Sequence, residues 1–183
     1  MENRSLLLWI DLEMTGLDSH TDVILEVAAL LTTFNGMELI DNPVHGIIYQ
    51  TDGALKKMNE WVKNQHQKSG LTEQVLQSKI SIGSIDEQIA HLLQRHNCEK
   101  QSVLLCGNSV WQDRAFIIKY MPLTAGFLHY RIIDVSTIKE LIRRWYPENE
   151  TAIFIKKESH RAVDDILESI AELRHYKKHF FLT

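Results

Sequence analysis

The sequence predicts an α/β fold in which a mixed five-stranded sheet carries helices on both faces. Three strand-like segments fill the first fifty residues, and helical segments then alternate with two more strands, at 103–106 and 130–135. An antiparallel meander followed by strand–helix units is typical of a mixed sheet that is covered on both sides. The 183 residues contain no repeat and no linker-like stretch, so we expect a single domain over 1–183.

The strands are predicted by short apolar and β-branched runs. The first, 6–13, opens without a charged residue, which predicts burial on both faces of the sheet. The second, 23–34, is interrupted only by Glu26. Asn35-Gly36 then predicts a tight hairpin turn with positive φ at both residues. The third strand is expected in two pieces, over 37–40 and 44–49.

The helices are predicted by apolar residues at intervals of three and four. The first covers 54–62 and precedes a polar loop over 64–70 and a short helix within 71–80. Ser84 and Glu87 form a capping box, which predicts the start of a helix that runs to about Asn97. Its buried residues are expected to be Ile85, Ile89, Leu92 and Leu93. Further helices are predicted over 112–120, 136–145 and 159–180, the last burying Ala162, Ile166, Ile170 and Leu173 after a loop over 148–158.

Composition and charge are typical of a soluble globular protein. No apolar run approaches the roughly 20 residues of a membrane-spanning helix, and the first residues lack the pattern of a signal peptide. Two cysteines, Cys98 and Cys106, are too few for a disulfide framework, which favours reduced thiols in a cytoplasmic protein. The formal net charge of −4 is unusual for a protein that holds long nucleic acid by phosphate contacts alone. A nucleic acid partner would therefore be short, or bound cations would supply positive charge.

Two acids, Asp11 and Glu13, stand at the end of the first strand. Residues two apart on a strand point the same way, so the two carboxylates would share one side of the sheet. Such a pair is costly to bury while ionised, and a divalent cation removes that cost. Carboxylate oxygens are the ligands that Mg²⁺ and Mn²⁺ prefer. Alternatively, the strand ends in solvent and both acids are hydrated.

Three residues downstream could join such a site. Asp113 follows the strand 103–106 after a glycine turn, in the first turn of a helix, where a carboxylate also suits the helix dipole. His160 and Asp165 are about 140° out of alignment on a straight helix, so they share a site only if His160 precedes the helix or lies in its first turn. Ser159 is expected to cap that helix and Asp164 to face away. Each residue alone also fits an ordinary surface role.

Taken together, these residues resemble the DEDDh 3′→5′ exonucleases in type, order and spacing. The resemblance is closest to the oligoribonucleases and runs nearly end to end, through WIDLEMTGLD, LCGNSVWQD, HYRIIDVSTIKEL with RRWYP, and SHRAVDDILESIAELRHY. The segments DVSTIKEL and NEWVKNQHQKSGLT lie outside the catalytic motifs. They distinguish oligoribonucleases from ribonuclease T and from proofreading exonucleases. Trp111 stands where many members of the family have a small residue, at the rim of the pocket.

The resemblance implies an RNase H-like fold and two divalent cations, Mg²⁺ or Mn²⁺. Two such ions about 3.5–4 Å apart can stabilise the attacking and leaving oxygens of a phosphodiester together. By similarity, Asp11 bridges the ions, Glu13 and Asp165 complete the shell of the first, and Asp113 holds the second. His160 is the implied general base, because the pKa of a histidine lies near working pH.

The resemblance also implies a substrate of a few nucleotides of single-stranded RNA, dinucleotides above all. Leu17 would stack against the terminal bases, and Met14 and Thr15 would offer backbone near the 3′ end. The other implied substrate-binding residues are Trp61, His66, Asn108, Ser109, Tyr130, Arg131 and Ser136. Among them, Ser109, Arg131 and Ser136 would contact a 5′ phosphate and so limit substrate length. Members of the family form homodimers, in which Tyr130 and Arg131 would reach the partner's site.

Other functions compatible with the sequence remain open. One is a ribonuclease T-like or proofreading exonuclease that acts on longer RNA or DNA. A second, of a different class, is a non-catalytic RNA-binding protein that keeps the fold. The acids alone also fit a metal-dependent hydrolase of other phosphodiesters.

Overall fold

The computed structural model describes residues 6–155 and 161–181. Five strands form one sheet in the order β3-β2-β1-β4-β5. Their bounds are β1 (Leu6–Met14), β2 (Ile24–Thr33), β3 (Val44–Ile47), β4 (Val103–Gly107) and β5 (Leu128–Asp134). β2 is antiparallel to β1 and β3, whereas β4 is parallel to β1 and β5 to β4. The mixed five-stranded sheet that the sequence predicts is confirmed.

Eight α-helices surround the sheet within the described ranges. They are α1 (Asp52–Leu55), α2 (Glu60–Lys68), α3 (Leu71–Gln77), α4 (Ile82–Arg95), α5 (Trp111–Tyr120), α6 (Pro122–Ala125), α7 (Val135–Trp145) and α8 (Ala162–Phe180). A short 3₁₀ turn, Glu150–Ala152, lies between α7 and α8. None of these helices is both long enough and apolar enough to cross a membrane.

The central strand β1 is buried on both faces, as its sequence predicts. Leu8, Ile10 and Leu12 join the core under α4 and α5. Leu7 and Trp9 join the opposite core, which residues of α7 and α8 complete. Because side chains alternate along a strand, Asp11 and Glu13 point to the α8 side of the sheet.

The register of β1 leaves one of its edges open near these acids. Its pairing with β4 ends at Trp9 and Cys106. Its pairing with β2 continues to Met14, with an irregularity between Glu13 and Met14. The end of β1 therefore extends beyond β4, and the start of α5 takes the place that a longer β4 would fill.

The predicted turn at Asn35-Gly36 is wrong in its geometry. Neither residue has positive φ; the left-handed residue of this turn is Met37, with φ 52°. The turn is longer than a two-residue hairpin, because Thr33 N–H donates to Glu38 O at 3.0 Å. Met37 is 3% exposed, so its burial in the core stabilises a conformation that methionine seldom adopts. The two pieces predicted for the third strand also differ, since only the second forms a strand and Leu39 contributes an isolated bridge.

The predicted helix over 54–62 and the loop over 64–70 are also wrong. The chain leaves helix after Leu55, and Asn59 starts α2 afresh by accepting a hydrogen bond of 3.0 Å from Val62 N–H. α2 then continues to Lys68. Its polar residues face solvent, whereas His66 is buried.

Two predicted helix starts need correction. α4 begins one turn earlier than the capping box predicts, because Ser81 Oγ accepts from Ser84 N–H at 3.2 Å and leaves Ser84 inside the helix. The four residues predicted to be buried on α4 are buried. Ser159, the predicted cap of the last helix, lies outside the described residues, and Arg161 occupies the N-cap position of α8. On α8, Ala162, Ile166 and Ile170 are buried, and Leu173 is partly so.

Candidate active site

Three carboxylates meet where β1 ends. Asp11 and Glu13 come from β1, and Asp165 from the first turn of α8. One oxygen of each lies within 4.8 Å of those of the other two, and all three residues are partly buried. The structure thus brings together three of the four acids that the sequence assigns to metal binding.

The electrostatics of this cluster favour a bound cation. Burial raises the pKa of Glu13 to about 8, and three neighbouring carboxylates act in the same direction: Asp11, Glu26 and Asp165. The Arg161 guanidinium opposes them. Three converging carboxylates form a hard oxygen donor set of the kind that Mg²⁺ and Mn²⁺ take. The residues present therefore fit the divalent cation that the resemblance implies.

Asp113 approaches β1 from the open edge. Its Oδ1 accepts a hydrogen bond of 3.0 Å from the backbone N–H of Leu12, where β4 no longer pairs. The side chain is buried, and burial, reinforced by Asp11, raises its pKa well above the usual range of an aspartate. Asp113 lies outside the group of three clustered oxygens found among the described residues. Its assignment to a second ion stays a prediction.

The general base assigned by similarity, His160, lies outside the described residues. The described part of this segment starts at Arg161, whose carbonyl accepts from Asp165 N–H at 2.9 Å and closes the first turn of α8. Asp164 is exposed and faces away from the cluster, as predicted, whereas Asp165 is partly buried.

A pocket of about 470 Å³ opens beside Glu13. Two large apolar side chains on it are mostly exposed: Leu17 is 69% exposed and Trp61 71%. Both were assigned to substrate binding, and the structure places them at the same pocket as Met14 and His66. The remaining lining residues are Leu12, Glu13, Gly16, Asn59, Val62, Gln65 and Ser69.

His66 joins this pocket to the carboxylates. Its Nε2 lies 2.9 Å from Met14 O, and because a carbonyl only accepts, Nε2 carries the hydrogen. Its Nδ1 lies 3.9 Å from Glu13 Oε2. His66 is 5% exposed, so its ring holds the end of β1 and presents little surface to a ligand.

The loop after β1 is organised by Asp22. Its Oδ1 accepts from Thr15 Oγ1 at 2.8 Å and its Oδ2 from Asp18 N–H at 3.0 Å. A Cβ on Gly16 would lie 2.5 Å from Asp22 Oδ2, so a larger residue there would displace the Asp22 carboxylate. The polar backbone atoms that were expected to face RNA already have partners: Met14 O binds His66, and Thr15 N–H donates to Val23 O at 3.0 Å.

Helix α5 holds the same loop from outside. Gln112 Nε2 donates to Leu17 O. Lys119 Nζ donates to Ser19 O at 2.6 Å, and Tyr120 OH to Asp22 O at 2.6 Å. Gln112 and Asp113 are neighbours in sequence, so one helical turn fixes both β1 and the exposed Leu17.

The structure brings together three residues assigned to substrate binding at the ends of β4 and β5. Ser109 and Ser136 have their hydroxyl oxygens 3.3 Å apart, and Ser136 Oγ donates to Asn108 Oδ1 at 3.0 Å. Asp134 Oδ1 accepts from the backbone N–H of Ser109 at 2.9 Å and of Ser136 at 3.0 Å. These contacts hold Ser109 in the left-handed region, with φ 52°.

Tyr130 and Arg131 lie on β5, an edge strand of the sheet. The register of β5 against β4 shifts between the pairs that Leu128 and Ile132 make, and Tyr130, within that irregularity, is 71% exposed. The Arg131 guanidinium lies 5.0 Å from the centre of the Tyr130 ring. No hydrogen bond within the described ranges joins that guanidinium to Ser109 or Ser136.

Comparison with known proteins places the chain in a family. A family model described as Exonuclease matches residues 8–173. An oligoribonuclease of Pseudomonas savastanoi pv. phaseolicola is 47% identical over 180 residues, which cover 98% of each chain. An oligoribonuclease of Marinobacter nauticus is 47% identical over 181 residues, covering 99% of each. The chain belongs to the oligoribonuclease family. It is a nuclease of the exonuclease class that acts on RNA.

The fold also resembles that of a solved exonuclease structure. E. coli exonuclease I, in complex with a 5cy-dT13 oligonucleotide, superposes with a TM-score of 0.72 at 17% identity. The match covers 97% of this chain and 42% of exonuclease I. At that identity the likeness shows the shared RNase H-like fold alone.

Several residues around this oligoribonuclease site escaped the sequence analysis. Glu26 is 1% exposed and pairs in register with Glu13, and its signal was an acid interrupting an apolar strand. Asp22, Gln112 and Asp134 support the site through backbone contacts. The contacts of Gln112 with Leu17 O and of Asp134 with Ser109 N–H are not indicated by the local sequence, because these partners lie 95 and 25 residues away.

Proposed function

We propose that this protein is a 3′→5′ exoribonuclease that hydrolyses short oligoribonucleotides, dinucleotides above all, to 5′-mononucleotides. One observation carries the proposal. The carboxylates of Asp11, Glu13 and Asp165 converge within 4.8 Å, and Glu13 also lines a pocket of about 470 Å³ with Leu17 and Trp61. A candidate metal site thus lies beside an apolar surface, formed by Leu17 and Trp61, that would contact the bases.

The acids would hold divalent cations, Mg²⁺ or Mn²⁺. Asp11, Glu13 and Asp165 would bind the first and share it through their converging oxygens, and Asp113, with Asp11, would hold a second. When bound, such ions stabilise the negative charge that builds on the phosphoryl oxygens during hydrolysis. The chain itself fixes Asp113 by the Leu12 hydrogen bond and Asp165 by the first turn of α8.

His160 would act as general base and take a proton from the attacking water. A histidine suits this role because its pKa lies near the working pH. It precedes by one residue Arg161, the N-cap of α8, so the chain brings it close to Asp165 in sequence. His160→Ala should lose turnover and keep metal binding.

The substrate would lie between Leu17 and Trp61. The exposed ring of Trp61 can stack on a base in a sequence-tolerant way, and Leu17 would pack against the terminal bases. Ser109, Ser136 and Arg131 would contact the 5′ phosphate of a dinucleotide. Arg131 suits a phosphate because its planar fork can donate two parallel hydrogen bonds. The net charge of −4 fits a short substrate, since few phosphates need neutralising.

We also propose a homodimer in the cytoplasm. The exposed Tyr130 and Arg131 project from an edge strand, where a second copy could pack and complete the substrate site. Cys98 and Cys106 are both free thiols, which suits a reducing compartment. Size-exclusion chromatography with light scattering would report the mass of the assembly.

Two neighbouring acids on α8 give a direct test. Asp165→Asn should abolish hydrolysis of a 5′-phosphorylated diribonucleotide in Mn²⁺, because the carboxylate belongs to the cluster. Asp164→Asn is the matched control, since Asp164 is exposed and should leave turnover unchanged. Wild-type hydrolysis must also stop with EDTA. Equal activity of both variants would contradict the site, and binding of RNA without hydrolysis would favour the non-catalytic alternative.

A further inference from the structure

We propose that Glu26 and Arg161 are positioning residues that set the place of the α8 N-terminus, and with it Asp165, against the end of β1. This inference rests on the proposed function, since it concerns how the same carboxylates are held. It adds a second layer of residues behind those that would touch metal or RNA.

Glu26 is a further carboxylate beside the cluster of Asp11, Glu13 and Asp165, and its contacts are with His45 and Arg161. It is 1% exposed and lies directly opposite Glu13 in the β1–β2 register. Its Oε1 lies 2.6 Å from His45 Nε2 on β3 and 3.5 Å from Arg161 Nη2. One oxygen therefore ties β3, β2 and the start of α8 together.

Arg161 links Glu26 to Asp165 through the first turn of α8. It occupies the N-cap position of α8, and its carbonyl accepts from the backbone N–H of Asp165 at 2.9 Å. No side chain of the described residues caps that helix. The Glu26–Arg161 contact is therefore a fixed point for the turn that carries Asp165.

The geometry is poorly suited to stability alone. Glu26 Oε2 and Arg161 Nε are both buried and lack a hydrogen-bond partner among the described residues. Burying such an atom is unfavourable, because no hydrogen bond offsets the loss of its hydration. The Glu26–Arg161 contact is 3.5 Å long and the Arg161 side chain is 36% exposed, so the pair contributes little net stability, which favours a role in placing groups.

If Glu26 and Arg161 acted only through their charges, their substitutions would change metal affinity in a different way. The carboxylate of Glu26 attracts a cation bound at Glu13, whereas the guanidinium of Arg161 repels it. If the two residues act only through their fields, removing each charge shifts metal affinity in opposite directions. If they act by positioning, removing either weakens metal binding, because the same turn is released.

The test compares Glu26→Gln, Arg161→Gln and the double variant in the full chain. Three quantities are measured: Mn²⁺ affinity without nucleotide by calorimetry, kcat and KM on a 5′-phosphorylated diribonucleotide, and the thermal midpoint. Asp86→Asn is the matched control, because Asp86 is a buried carboxylate on α4 that accepts from Leu123 and Thr124 N–H groups. It should lower the thermal midpoint without altering Mn²⁺ affinity or kcat.

Positioning predicts that each single variant weakens Mn²⁺ binding and lowers kcat by about 10-fold or more, with KM nearly unchanged. The Mn²⁺ affinity and kcat of the double variant should be no lower than those of the more impaired single variant, since the two residues act as a unit. If Glu26→Gln does not fold, Arg161→Gln tests the inference by itself, because Arg161 is partly exposed. Positioning predicts that this variant binds Mn²⁺ more weakly.

Two results would overturn the inference: shifts of Mn²⁺ affinity in opposite directions, or a loss of thermal midpoint like that of Asp86→Asn with metal affinity and kcat intact. The proposed function fails separately, if the wild-type protein binds Mn²⁺ but leaves the diribonucleotide intact.

Discussion

Asp113 Oδ1 accepts a hydrogen bond of 3.0 Å from the backbone N–H of Leu12, across 101 residues of sequence. The bond lies where β4 stops pairing with β1. One carboxylate thus completes the hydrogen bonding of the central strand and stands beside the acids that would bind metal. Its structural and chemical roles can be separated by substitution.

Asp113→Asn should keep the fold and lose activity. The amide oxygen can still accept from Leu12 N–H, and the change removes a buried carboxylate whose pKa is raised by burial. Asp113→Ala should lose about 1–3 kcal/mol of unfolding free energy as well, because it leaves a buried N–H unpaired. Both should reduce turnover by about 100-fold or more. Urea unfolding and dinucleotide hydrolysis measure the two effects; equal stability of the two variants would contradict the role of the bond.

The stability of the metal-free protein should depend on pH through Glu13. Its pKa is raised to about 8 in the folded state from 4.5, so the folded state binds more protons than the unfolded state in that interval. Unfolding free energy should therefore fall as pH rises from 4.5 to 8. Denaturation in EDTA at several pH values measures the slope. Glu13→Gln should make the slope shallower, leaving the part that comes from Asp113, whose pKa burial also raises. Saturating Mn²⁺ should also make it shallower, and a slope unaffected by both would contradict this assignment.

Gly16→Ala should impair the site without a change in any polar group. The new Cβ would lie 2.5 Å from Asp22 Oδ2, so the carboxylate that holds the loop of Leu17 must move. We expect KM for the dinucleotide to rise by about 10-fold. Gly53→Ala is the control, because the nearest atom to its new Cβ would be Thr51 Oγ1 at 3.8 Å, an ordinary van der Waals contact. If both variants have wild-type KM, the loop does not position the substrate.

Arg131→Ala should discriminate between two forms of one substrate. If Arg131 contacts the 5′ phosphate, the variant should weaken a 5′-phosphorylated dinucleotide by about 10-fold or more and its dephosphorylated form far less. Arg143→Ala on α7 is the control, because Arg143 is an exposed arginine with no assigned role. Equal losses on both substrates would place Arg131 away from the phosphate.

Much of this architecture follows from local sequence. The apolar run before Asp11 predicts a central strand, and the spacing of Asp11 and Glu13 predicts that they share a face. The glycine turn before Asp113 places that acid in the first turn of a helix, as observed. These features are predictable because each depends on neighbouring residues and on strand or helix periodicity.

The remainder depends on a local helix cap or on contacts between distant segments. The helix predicted over 54–62 is broken because Asn59 caps a new helix, which local periodicity does not reveal. The role of Glu26 depends on His45 and Arg161, which lie 19 and 135 residues away. The bond from Gln112 to Leu17 O spans 95 residues. Tertiary packing, not local propensity, decides such positions.

We propose that the clustered carboxylates and the adjoining pocket make this protein a metal-dependent exoribonuclease for very short RNA. The most direct measurement compares the turnover of a 5′-phosphorylated diribonucleotide with that of a seven-mer, in Mn²⁺ and then in EDTA. We expect mononucleotide release that needs the metal and is much faster on the dinucleotide. Equal or faster cleavage of the seven-mer would contradict the short-substrate claim and indicate a more general exonuclease.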